Sequence, residues 1–322
     1  MKLLRLAPEN TKFGFMRFRR VSYPLSAALS IVSVLMFLFV GMNFGIDFAG
    51  GTQVDMRAKS GQAQLADIRA KAESLGLGPV EVQRIGGEAD VILRLNVQPG
   101  GEQGQQTAVA KLKDAFGGDY EFRSVDAVGP SVSAELVQSG TLGVVVAIIA
   151  VLTYLWFRFE WQFAVGAIIG TMHDLLLTVG FFCVTQLEFN QTSIAAILTI
   201  VGYSLNETVV VLDRIREVMR KYKRMSTPDI VDMSVNAVLP RTIMTATTVF
   251  LALLALFFLG GHVIRSFSAA MIWGIFVATY SSIFICSPML IYMGVRAETF
   301  DRMREKEAAG ADVKDVKAKE KA

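Results

Sequence analysis

The chain has 322 residues, of which 52% are hydrophobic, with a mean hydropathy of +0.45 and a formal net charge of only +3. That balance excludes a soluble globular protein, because apolar runs of membrane-spanning length recur along the sequence. It also excludes a disulfide framework or a metal cluster: Cys183 and Cys286 lie within apolar runs, and His173 and His262 form no ligand-spaced motif. Neither a nucleophile elbow nor a phosphate-cradling glycine loop is present. The expectation is a non-enzyme with no cofactor, no metal and no nucleic-acid partner.

In chain order, residues 1–22 carry Lys2, Arg5, Lys12, Arg17, Arg19 and Arg20 and are expected to be cytoplasmic. The apolar run over 23–44 is too long for a signal-peptide core and lacks a small-x-small cleavage site, so it is read as a retained first span. Residues 45–138 then turn polar and form a domain outside the membrane. Residues 53–58 alternate as a strand, 65–75 have helical spacing closed by Gly76, and 80–85 and 90–97 read as a hairpin about Gly86-Gly87. A Gly/Gln-rich loop over 98–104 leads to a helix over 107–116, and 120–125 is a fourth strand. Strand–helix–strand–strand–helix–strand is the order of a ferredoxin-like unit. The strands at 53–58 and 120–125 are candidates for pairing with an extended polypeptide.

A five-helix bundle is expected over 139–293, with spans at 140–157, 163–185, 242–259 and 267–293 and one more running from Gln191 towards Arg224. With the opening helix this makes six transmembrane helices. The fourth span empties into Arg214, Arg216, Arg220, Lys221, Lys223 and Arg224, and basic residues recur after Met293. By the distribution of positive charge, both termini are cytoplasmic and the long domain lies outside. Residues 294–322 form a charged cytoplasmic tail, of which 305–322 are expected to be mobile or a frayed helix.

Three spans carry polar groups. The third holds His173 and Asp174 at mid-membrane, and a carboxylate there is costly to leave unpaired. The fourth holds Asn206 and Glu207, with Arg214 two helical turns below Glu207 and Tyr203 one turn above, a polar seam that also includes Asp213. Between the fourth and fifth spans, Thr227 is read as the cap of a surface helix ending near Pro240. Arg241 heads the fifth span, at a depth similar to that of Glu207. For Arg241 position alone favours an ordinary snorkelling, positive-inside anchor, and for His173 a structural helix–helix hydrogen bond explains the position equally well.

The pieces GIDFAGGT, MHD, VGYSLNETVVVLDRIRE, PRT, FLGGHVIRSFS and TYSS occur in this order around the six spans. In these the sequence resembles the SecF branch of the SecD/SecF protein-translocase family, over almost its whole length. The resemblance implies a multi-pass protein of the bacterial inner membrane that pairs with SecD and works with the SecYEG channel and SecA, with YajC and YidC as further associates. It also implies a preprotein substrate and use of the proton-motive force, in a fold like that of resistance–nodulation–division transporters. Glu207, Arg241 and Asp174 become the proton-path candidates, supported by His173, Tyr203, Asn206, Asp213 and Arg214. Two departures stand out: the family's usual acid after Asn is Asp rather than Glu207, and Asn236–Arg241 differs from the family's NQTLSR-like run. A half-transporter for a lipid or small amphiphile and a passive scaffold remain as alternatives from other classes.

Overall fold

The structure, a computed structural model, describes residues 11–296 apart from Gly86 and the side chains of His262 and Val263. Lys2, Arg5, the first half of the Gly86-Gly87 turn, the His262 side chain and the charged tail from 297 onward therefore lie outside the described residues. The elements are α1 (Arg19–Phe39), α2 (Ile46–Ala49), β1 (Gly51–Ala58), α3 (Leu65–Ser74), β2 (Val80–Arg84) and β3 (Asp90–Leu95). They continue as α4 (Gly101–Phe116), β4 (Tyr120–Val128), α5 (Pro130–Arg158), α6 (Trp161–Thr185), α7 (Gln191–Lys221) and α8 (Thr227–Leu259). The last span is α9 (Gly261–Ser281), a π-helical turn (Ser282–Cys286) and α10 (Ser287–Tyr292).

Six helices among the described residues are long and apolar enough to cross a membrane. Within the apolar windows, 56%, 44% and 61% of α6, α7 and the last span are buried, against 17%, 6% and 11% for α1, α5 and α8. Three central helices therefore carry the interior, and three outer ones show most of their surface to lipid or to a partner. Close approach in the centre depends on small residues. A Cβ on Gly170 would collide with Cys286 Sγ, one on Gly274 with Ile200 and one on Gly180 with Ser33.

The outer domain is a four-stranded antiparallel sheet of order β2-β3-β1-β4, the split arrangement of a ferredoxin-like unit. Alternation builds its core: Val54 and Met56 of β1 meet Val91, Leu93 and Leu95 of β3 and Val80 and Val82 of β2, with Ile68, Ala72, Leu112 and Phe116 covering them from α3 and α4. β1 is paired on both sides, so it is not open to a further strand; the edges are β2 and β4.

Several boundaries differ from the expected ones. The first helix ends at Phe39 rather than at 44, because the chain reverses at Gly41 (φ +76°) to lay Phe44 beside Phe189. The Gly/Gln-rich loop is largely the first turns of α4, whose face through Gln105, Ala108 and Leu112 is buried. Residues up to 138 do not belong to the domain: Pro130, favoured in a first helical turn, starts α5 just after β4. Ser226, not Thr227, caps α8, its hydroxyl facing the Asp229 N–H at 3.4 Å. α8 also continues straight through Pro240 into the fifth span. The Asn236 carbonyl thereby loses its intrahelical donor, while the Asn236 side chain clamps Phe13 through its N–H (3.0 Å) and C=O (2.8 Å).

At the entrance to β1, Gly50 and Gly51 have φ of +71° and +121°. A Cβ on Gly51 would run into the Leu95 carbonyl oxygen of the neighbouring strand. Gly51→Ala is therefore expected to destabilise the sheet domain by about 1–3 kcal/mol. Thermal unfolding of the purified chain should show a lowered first transition, whereas Gly61→Ala, at a site with open space around it, should cost less.

Candidate functional site

Two carboxylates lie inside the bundle, and α7 links them. Asp174 on α6 is 1% exposed. Ser204 of α7 donates to its Oδ2 at 2.5 Å and Ser281 of α9 at 2.8 Å, while His173 Nδ1 lies 3.1 Å from Oδ1. One acid thus ties the three central helices together. Glu207 stands on α7 three residues after Ser204, a rise of about 4.5 Å, and is 3% exposed. Thr242 of α8 donates to its Oε2 at 3.0 Å and Thr245 to its Oε1 at 3.2 Å. The Thr245 hydroxyl has only one proton and also lies 3.1 Å and 3.0 Å from the carbonyls of Arg241 and Thr242, so Thr242 is the firmer partner.

The candidate residues separate into groups. Tyr203 is beside Glu207, its hydroxyl buried against Thr245 and Thr279 without reaching hydrogen-bond geometry to either. His173 is only 6% exposed, with Nε2 unpartnered among the described residues and its ring 6.2 Å from that of Tyr280. Asn206 is exposed and turned away from Glu207. Asp213 and Arg214 do not continue the seam. Asp213 pairs with Arg158 (2.5 Å) and Arg216 (3.5 Å), and Arg214 with Glu217 (2.6 Å), all at the basic end of the bundle.

Arg241 is not brought onto Glu207. Arg241 is exposed, and the acid's partners are Thr242 and Thr245 instead. Successive helical residues point about 100° apart, so with Thr242 aimed inward at Glu207, Arg241 one residue earlier points outward. Expectation from the sequence overlooked the hydroxyls of Ser204, Ser281, Thr242 and Thr245. They were legible only as the Ser one turn before Glu207, the i, i+3 threonines after Arg241 and the serines of TYSS. Ser281 immediately precedes the π-helical turn, whose Cys286 packs on Gly166 and Gly170 of α6. Such turns are frequent at functional sites.

Comparison with known proteins gives this arrangement its context. Residues 108–296 match the family model described as protein export membrane protein SecD/SecF, C-terminal, and residues 36–62 match the SecD/SecF GG motif. The chain belongs to the SecD/SecF family. It is 42% identical to the protein translocase subunit SecF of Rickettsia bellii, over 89% of this chain and 95% of that one. It is 40% identical to SecF of Rhodobacter capsulatus, over 94% of each. It is also 42% identical to the translocase subunit SecDF of Brucella abortus, where it spans 92% of its own length but 39% of the longer protein. The crystal structure of SecDF from Thermus thermophilus superimposes with a TM-score of 0.79 at 32% identity, covering 88% of this chain and 39% of that one. SecDF in a super-membrane-facing form gives 0.65 at 30% identity. The chain is thus a SecF-type, multi-pass membrane protein that spans nearly the whole of SecF relatives and about two fifths of SecDF ones. The GG motif coincides with the Gly50–Gly51 entrance to β1, where the backbone leaves no room for a side chain.

Proposed function

We propose that this chain acts as the SecF subunit of the Sec export machinery, coupling the proton-motive force to late translocation and release of preproteins across the inner membrane. The observation that carries the reading is Glu207: a carboxylate enclosed at mid-span and held by two hydroxyls rather than by a cation. A carboxylate in that position is costly to bury and is a candidate carrier of charge across the membrane. One charge crossing 100 mV is worth about 2.3 kcal/mol, enough to shift a two-state equilibrium about fiftyfold. Arg241, next to Thr242 on α8, is the proposed electrostatic counterpart of Glu207 in the work cycle. Asp174 is a second station, with His173 beside it.

SecD is the proposed partner. The fused SecDF relatives support it, and so do the exposed positions Thr199, Gly202 and Asn206 on α7 and Arg241 and Thr248 on α8. An asparagine and an arginine exposed at this depth call for a protein surface rather than lipid. SecYEG, SecA, YajC, YidC and the preprotein belong to the same reading. So do cytoplasmic termini and a periplasmic sheet domain, supported by Arg158, Arg216, Arg220 and Lys221 at the opposite end of the bundle. Edge strands β2 and β4 are then the positions from which a preprotein would be touched.

The test is preprotein release from vesicles holding this chain with SecD and the channel, with the proton gradient clamped on or off. Release should rise with the gradient at least tenfold, and only when this chain is present. Equal release in both conditions would overturn the reading.

A further inference from the structure

The sheet domain and the bundle meet at a junction built without slack. After α1 the chain runs antiparallel to nothing and pairs instead with the α6–α7 loop: Gly45 donates to the Phe189 carbonyl at 2.9 Å and Phe189 to that of Asn43 at 2.7 Å. The Asp47 carboxylate accepts from the backbone N–H of Gln191, the first residue of α7, at 2.9 Å. Asn190 and Ser193 close a capping box over the same helix end.

From the other side comes Arg94. On β3, Val91, Leu93 and Leu95 point into the domain core, so Ile92 and Arg94 lie on the outer face. In a sheet covered by helices on one side, that face is ordinarily solvated. Here Ile92 is buried, and the Arg94 side chain is only 10% exposed. Its guanidinium is ion-paired with Glu188 of the α6–α7 loop, whose side chain is 15% exposed, and its Nε donates to Gln53 of β1 at 3.0 Å. The Glu188 carboxylate fills the space where a Cβ of Gly45 would stand, so a side chain there would have to push Glu188 aside. A nearly buried ion pair adds little net stability but selects one geometry strongly, because either charge left alone is costly.

Glu188 precedes the start of α7 by three residues, and α7 runs unbroken from Gln191 to Glu207, about 24 Å at 1.5 Å per residue. We propose that Arg94 and Glu188 are positioning residues whose ion pair locks the sheet domain to the outer end of α7, so that a shift of α7 at Glu207 is delivered as movement of the domain. This deepens the reading of Glu207 as the proton site and rests on it for the origin of the movement. The lock itself stands on the junction geometry.

The experiment uses the full chain with SecD in lipid nanodiscs, spin-labelled at Lys113 on α4 and Thr185 at the end of α6, both exposed. Pulsed electron resonance should give one narrow distance distribution for the parent. Arg94→Glu and Glu188→Arg should each broaden it, and the double reversal should narrow it again. Glu188→Gln, which leaves the domain sequence untouched, should broaden it without any risk to domain folding. In vesicles, gradient-driven release should fall about tenfold in the single variants and recover in the double reversal, with gradient-independent release unchanged. Unchanged distances in Arg94→Glu and Glu188→Gln would overturn the lock. So would broadened distances with gradient-driven release at the parent level. Failure of the Glu207 reading is seen separately, as a gradient response that persists in Glu207→Gln.

Discussion

Glu207→Gln is expected to remove the response of export to the proton gradient while leaving the bundle folded. Glutamine has the same shape, and its amide oxygen can still accept from Thr242, which holds Oε2 at 3.0 Å; only the exchangeable proton is lost. Since a single charge moved through the field is worth about fiftyfold in a conformational equilibrium, gradient-driven release in vesicles should drop by at least tenfold, close to the level without a gradient. Glu207→Asp supplies the acid usual in the family and should keep most of the response. It is one methylene shorter, so it can hold Thr242 or Thr245 but not both at their present 3.0 and 3.2 Å. Arg241→Lys should do worse than conservation of charge suggests, because lysine lacks the planar fork. If Glu207→Gln vesicles respond as the parent does, Glu207 is a structural polar group and the proton path runs elsewhere.

Asp174→Ala should have the largest effect on stability. It would leave the Ser204 hydroxyl and His173 Nδ1 buried without their partner, and Ser281 with only the Ala278 carbonyl at 3.1 Å. Unsatisfied buried groups cost about 1–3 kcal/mol each, so a loss of about 3–5 kcal/mol is expected, with little folded protein recovered in detergent. Asp174→Asn keeps an acceptor oxygen for the two serines and should accumulate near parent levels. Comparing the melting of the two variants with their gradient response then separates the roles of the hub. A stable Asn variant with lost coupling makes Asp174 a proton station; a stable Asn variant with full coupling makes it a pin between helices. An alanine variant as stable as the parent would show that the hub does not hold α6, α7 and α9 together.

The elements that the sequence alone determined are those ruled by local periodicity. Six apolar runs separated by polar ones, the alternation of Val54 and Met56, and the helical spacing of Leu65, Ile68 and Ala72 each follow from a residue and its near neighbours. They yielded the six spans, the ferredoxin-like order and the two buried acids, Asp174 and Glu207. The boundaries that moved did so where distant segments meet: Gly41 turns the chain where Phe44 pairs with Phe189, and α8 passes Pro240 with the Asn236 side chain bonded to the Phe13 backbone. Partner choice was out of reach for the same reason. Depth in the membrane places Arg241 level with Glu207, but the direction of a side chain depends on helix rotation. That rotation is decided by packing among α7, α8 and α9, and it turns Thr242 inward and Arg241 outward. The Arg94–Glu188 pair joins residues 94 positions apart in different domains, and no local pattern marks either charge as buried until the sheet is laid against the α6–α7 loop.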